Sequence, residues 1–148
     1  MQQAEIALEE FKIPYVTKII SAHRMANEMV KFAESAHLRG IKIIIAGAGA
    51  AAHLPGMVAS LSPLPVIGVP VTVNTLKGLD ALLSIAQMPK GVPVAAVAID
   101  GAYNAGLLAA RMLSVDSALI LKKTSSFQLK QKRKATRMNQ LMIRQLAK

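Results

Sequence analysis

The chain has 148 residues, 53% of them hydrophobic and 18% charged, a balance that excludes a disordered chain and fits one domain with a densely buried core. It has no cysteine, which excludes disulfide scaffolds, thiolate metal sites and cysteine nucleophiles. The net charge of +10 is unevenly spread: residues 1–121 hold nine Lys/Arg against eight Asp/Glu, and residues 122–148 hold nine Lys/Arg and no acid, so a near-neutral body precedes a cationic extension.

In chain order, residues 2–11 read as a helix, with Ile6, Leu8 and Phe11 apolar against Glu5, Glu9 and Glu10, and Ile13-Pro14 breaks it. Residues 15–20 read as a short strand. Residues 26–38 place Met29, Val30, Phe32 and Ala33 at helical spacing, and Gly40 is positioned to stop that helix as a left-handed cap. Residues 41–46 form an apolar run interrupted only by Lys42, which suits a strand covered on both faces. A Gly/Ala loop follows, then a short helix at 55–61, a strand at 66–69, a helix at 76–87, a strand at 92–99 and a helix at 104–113. Each strand is followed by a helix, the pattern of an α/β protein with a mostly parallel sheet built by right-handed crossovers. The order nevertheless opens on a helix, where a strand normally comes first.

Residues 43–76 carry no Asp, Glu, Lys or Arg, but Pro55, Pro63, Pro65 and Pro70 cut any helix into pieces too short to span a bilayer. The first ten residues are acidic and helical in pattern, without the basic start and apolar run of a signal peptide. The expected location is therefore cytoplasmic, with no membrane partner.

In open α/β sheets ligands sit off the carboxyl ends of the strands, which directs attention to the loops at 21–25, 46–53 and 68–74. Ser21, Ala22, His23 and Arg24 leave the strand at 15–20 directly, placing a hydroxyl, an imidazole and a guanidinium in one turn. An imidazole takes and gives protons near neutral pH, and an arginine holds a carboxylate or phosphate through paired hydrogen bonds. A capping serine with a surface His-Arg pair is the plainer reading of the same residues. In the second loop, Gly47, Ala48 and Gly49 allow close backbone approach to a ligand, and His53 and Leu54 open the next helix. A dinucleotide-binding turn would need an acid about 20 residues on to hold the ribose, and no Asp or Glu occurs between Glu34 and Asp80. His23, His37 and His53 are the only imidazoles and have no carboxylate near the site loops, so no metal site is expected and the chemistry is expected to need no cofactor.

Five ordered motifs then carry a resemblance: Ser21-Ala22-His23-Arg24, the run from Ala46 through His53-Leu54-Pro55-Gly56, Leu64-Pro65-Val66-Ile67-Gly68-Val69-Pro70, Leu83-Ser84-Ile85-Ala86-Gln87-Met88-Pro89 and Gly91-Val92-Pro93-Val94. Over residues 1 to about 113 the chain closely resembles the class I PurE family of 5-(carboxyamino)imidazole ribonucleotide mutases of purine biosynthesis. The resemblance implies a flavodoxin-like three-layer α/β sandwich assembled into a homo-octamer, acting on an imidazole ribonucleotide without metal or organic cofactor. The carboxylate moves from the exocyclic nitrogen to carbon 4 of the same imidazole. In that family the residue matching His23 is the general acid/base, those matching Ser21, Ala22 and Arg24 contact the nucleotide, and those matching Gly47, Ala48, Gly49, His53 and Leu54 enclose the base and the trapped carbon dioxide.

The sequence departs from the family in three places. The family's first strand and its Gly-Ser-x-Ser-Asp phosphate loop are missing, because Met1 aligns inside the first helix. This is expected to leave 15–20 and 41–46 without the strand that lies between them, and both an upstream start and a degenerate, non-catalytic oligomer fit that expectation. Met25-Ala26 stands where Thr-Pro is usual, and Ala50 where glycine is usual. The tail beyond about Asp116 lacks the mixed acidic character usual in the family, so residues 1–116 are read as the α/β domain and 117–148 as a basic helical tail, with Met138, Leu141, Met142 and Leu146 available for an amphipathic helix on a neighbouring subunit. Nucleic acid is not expected as a partner, since Phe127 alone in the tail can stack on a base.

Overall fold

The computed structural model of the protein describes residues 1–73 and 75–146. The chain divides into two compact units, Met1–Ala109 and Ala110–Lys148. The first contains a parallel sheet of three strands in the order β1 (Ile44–Gly49), β2 (Val66–Val71), β3 (Ala95–Ala96). β1 and β2 pair from Ile44↔Val66 to Gly49↔Val71, and β2 pairs β3 through Ile67↔Ala95 and Gly68↔Ala96.

Helices α2 (Ala26–Ser35) and α3 (Leu54–Leu61) cover one face of the sheet. Met29, Ala33, Ala36, Ile44, Ala46, Val58 and Val66 form one buried cluster there. Alternation along β1 brings Ile44, Ala46 and Ala48 to that face, and Ala48 packs beside a second cluster made by Ala52, in the loop after β1, with Ala81 and Ile85 of α4 (Leu79–Ala86). Ile67 and Val69, of opposite parity on β2, are almost completely buried, so the sheet is covered on both sides. On that other side α1 (Gln2–Glu10) meets α5 (Ala102–Ser114) at Gly106, where a Cβ would strike the Ala7 side chain and the Ala4 carbonyl oxygen. Glycine is required there by the closeness of the two helices.

Several predicted elements need correction. Residues 15–20 are not a strand: they run without ladder pairing, and Ile19 is 93% exposed. A strand exists only by backbone pairing, and among the described residues none lies beside this one. Side chains hold it instead, with the Tyr15 hydroxyl donating to Glu9 and Thr17 Oγ1 donating to Glu5, each at 2.7 Å, so α1 anchors it. β1 begins three residues later than the run at 41–46 suggested and takes in Gly47, Ala48 and Gly49, because β2 extends to Val71 and offers partners that far. The strand predicted at 92–99 is reduced to two residues, with Val97 N–H still donating to the Gly68 carbonyl. The helix predicted at 76–87 starts only at Leu79, after Gly78 in the left-handed conformation. The helix predicted at 26–38 is α2 followed by one 3₁₀ turn, His37–Arg39, and Gly40 ends it with φ 79°.

The second unit contains α6 (Ala118–Leu146), a helix of 29 residues. Thr124 is buried, Ile120, Lys123 and Phe127 are half-buried, and every residue from 128 to 146 is exposed. No helix among the described residues is long and apolar enough to cross a membrane.

Candidate active site

The extended segment 15–20 ends in a tight turn at Ser21, whose carbonyl accepts from the N–H groups of Arg24 (3.3 Å) and Met25 (2.8 Å) before α2 begins. This turn buries Ala22 and leaves His23 and Arg24 exposed. Arg24 Nε donates to Ser21 Oγ at 3.3 Å, so the hydroxyl and guanidinium are held together. The second loop leaves the carboxyl end of β1. Gly47, Ala48 and Gly49 are half-buried in the strand itself, and Ala50 then turns the chain with φ 54°. His53 caps α3, its own N–H donating to the Ala51 carbonyl at 2.9 Å and its carbonyl accepting from Met57. Leu54, the first residue of α3, packs against the Met29–Ile44 cluster.

These two loops meet through their imidazoles. His23 Nε2 lies 2.8 Å from His53 Nδ1, with ring centroids 4.9 Å apart and the planes nearly perpendicular. One nitrogen must carry the proton and the other must accept it, so the contact holds a single shared proton. Either ring can therefore pass a proton to the other, and His23 Nδ1 and His53 Nε2 are left for other partners. An exposed acid/base pair of this kind, beside a guanidinium-hydroxyl pair and a strand end of glycine and alanine, can move protons on a small anionic substrate.

A third feature, not singled out from the sequence, stands at the end of β2. Asp100, with φ 57°, accepts from the Thr72 backbone N–H at 2.9 Å and from Thr72 Oγ1 at 2.5 Å, and its own N–H donates to the Pro70 carbonyl. The Thr72 hydroxyl, followed by the Thr72 amide, holds the Asp100 carboxyl below its ordinary range. The position of Thr72 in the loop at 68–74 was a usable signal, but its partner 28 residues on was not. Asn74, in the same loop, lies outside the described residues. Among the described residues no group of three or more His, Asp or Glu side chains converges as a metal-ligand set.

Residues 1–134 match the family described as AIR carboxylase. The chain is 58% identical over 132 residues to the chloroplastic phosphoribosylaminoimidazole carboxylase of Vigna aconitifolia, covering 89% of this chain and 24% of that protein. It is 54% identical over 145 residues to the N5-carboxyaminoimidazole ribonucleotide mutase of Thermotoga maritima, covering 95% of this chain and 85% of that one. It thus spans about a quarter of the plant relative and most of the bacterial one. A crystal structure of Treponema denticola PurE superposes with a TM-score of 0.84 at 28% identity, covering 92% of this chain and 85% of that chain.

Proposed function

The chain belongs to the AIR carboxylase family, and from that premise we propose that it is an isomerase of the class I PurE type, moving a carboxylate from the exocyclic nitrogen to carbon 4 of an imidazole ribonucleotide. The observation that carries this reading is the 2.8 Å contact between His23 and His53, which gives one loop an acid/base group and the other a means of orienting it. Since His53 engages Nε2, the nitrogen that His23 presents to substrate is Nδ1.

The proposed reaction has two halves. The carbamate N–C bond breaks, carbon dioxide leaves, and His23 gives its proton to the exocyclic nitrogen. Carbon 4 then attacks carbon dioxide, and His23 recovers a proton as that carbon loses its hydrogen, so the imidazole ends as it began. Ser21 and Arg24 hold the anionic nucleotide, a task suited to a guanidinium already oriented by a hydroxyl. Gly47, Ala48 and Gly49 contribute a small apolar wall at the strand end, which favours retention of carbon dioxide over entry of water. We assign residues 1–116 this chemistry and residues 117–148 the role of an extension.

A homo-octamer is the proposed assembly. Leu79 and Leu83, one turn apart on α4 and both about half exposed, offer apolar surface for contacts between copies. The test of the function is His23→Asn assayed with the N-carboxylated ribonucleotide. Turnover should fall at least ~100-fold, the scale of a general acid/base group, while ribonucleotide affinity stays within about twofold. Near-normal turnover would remove His23 from the role.

A further inference from the structure

The basic extension forms one continuous helix, so the spacing of its cations becomes an angular arrangement. At about 100° per residue, Lys122, Lys130, Arg133, Lys134, Arg137 and Arg144 fall within an arc of roughly 120°. All six are exposed, and α6 has no Asp or Glu to neutralise them. Lys132 alone among the exposed cations of α6 points elsewhere. The stripe runs about 33 Å from Lys122 to Arg144 at 1.5 Å per residue. Lys123 falls within the same arc but is half-buried, and beyond it Phe127, Ile120 and Thr124 mark the covered side near the start of the helix.

We propose that the cationic stripe of α6 binds the phosphate backbone of a nucleic acid duplex. A row of positive charges on one face matches a ligand whose negative charges are closely and regularly spaced, and a duplex carries one phosphate charge per ~1.7 Å of its axis. A membrane surface would require an apolar face beside the charged one. Here Met138, Leu141, Met142 and Leu146 share one side of the helix only over its last nine residues, whereas five of the six cations precede them, over a stretch in which Leu129 is the one large exposed apolar side chain. A single strand is a poorer fit, because α6 offers Phe127 as its only aromatic ring, and that ring is half-buried. Binding through phosphates alone needs no base stacking, so the scarcity of aromatics that counted against nucleic acid at the level of sequence does not count against a duplex.

The test uses the full chain and a fluorescein-labelled 20-base-pair DNA duplex, followed by anisotropy between 50 and 200 mM salt. Six phosphate contacts give a slope of log affinity against log salt of about −5, or roughly a thousandfold loss across that range. Neutralising four cations together (K130Q, R133Q, K134Q, R137Q) should reduce the slope to about −2. The charge-preserving double variant K130R/K134R should bind as the parent does, with helix content checked by circular dichroism in each case. Absence of binding at 50 mM salt, or an unchanged slope in the quadruple variant, overturns the proposal. So does tighter binding to vesicles of anionic lipid than to the duplex, or loss of duplex binding in M138Q/L141Q/M142Q, which keeps every charge.

Discussion

Ala50 offers a sharp test of how the second site loop is built. It turns the chain out of β1 with φ 54°, a left-handed conformation that costs an L-residue about 1–2 kcal/mol because its Cβ crowds the following carbonyl. Ala50→Gly removes that cost and adds about 0.4–1 kcal/mol of backbone freedom to the unfolded chain. The net expectation is a stabilisation of about 0.5–1 kcal/mol, which raises Tm by roughly 1–4 °C in a chain of this size. Scanning calorimetry or urea unfolding measures it, with two neighbours as controls. A Cβ at Gly49 would sit 3.0 Å from the Val71 carbonyl oxygen and run into the Val73 side chain, so Gly49→Ala should cost about 1–3 kcal/mol. A Cβ at Gly47 would meet only the flexible end of the Met1 side chain, so Gly47→Ala should cost less. An Ala50→Gly protein that melts at or below the parent's Tm would show that the turn is not strained, and the reasoning fails.

Other measurements follow from the same geometry. His53→Phe removes the partner of His23 Nε2 but keeps a ring of similar size; turnover should fall about tenfold, the worth of one hydrogen bond of about 1.4 kcal/mol, with little change in ribonucleotide affinity. An undiminished rate would mean that His53 does not orient the base. Thr72→Val removes the hydroxyl that, more than the amide, depresses the Asp100 carboxyl. A carboxyl depressed in the folded state stabilises above its unfolded pKa, and that contribution disappears as pH falls through the lower folded value. The parent's advantage over Thr72→Val should therefore be present at pH 6 and fade below the normal carboxylate range; a stability difference that does not change with acid would contradict this. Gly106→Val should destabilise by about 1–3 kcal/mol by forcing α1 and α5 apart, measurable by denaturant unfolding.

Some of this protein was legible from residue order. Strand-then-helix alternation indicated a parallel α/β fold, Gly40 marked the end of a helix, and the motif around His23 pointed to the family to which the chain belongs. These signals are local: each depends on residue types within a few positions of one another. The concentration of net positive charge in the last 27 residues is of the same kind, being a property of composition along the chain.

What depended on partners distant in sequence was decided only in three dimensions. Residues 15–20 have the composition of a strand, yet a strand needs a neighbour's N–H and C=O groups, and here α1 supplies side-chain carboxylates in their place. Gly47, Ala48 and Gly49 read as a loop because glycine and alanine have weak strand preference, but β2 supplies pairing as far as Val71 and draws them into the sheet. Thirty residues separate His23 from His53, and Thr72 and Asp100 are 28 apart; no periodicity links either pair. Thr72 and Asp100 meet where the chain leaves β2 and β3 side by side, and His23 reaches His53 because the extended segment 15–20, held by α1 and not by a sheet, ends beside the loop that leaves β1. The stripe on α6 is intermediate between the two cases. Its charges were plain in the sequence, but their single-sided arrangement required one unbroken helix from Ala118 to Leu146, since only a fixed 3.6-residue turn converts spacing along the chain into direction in space.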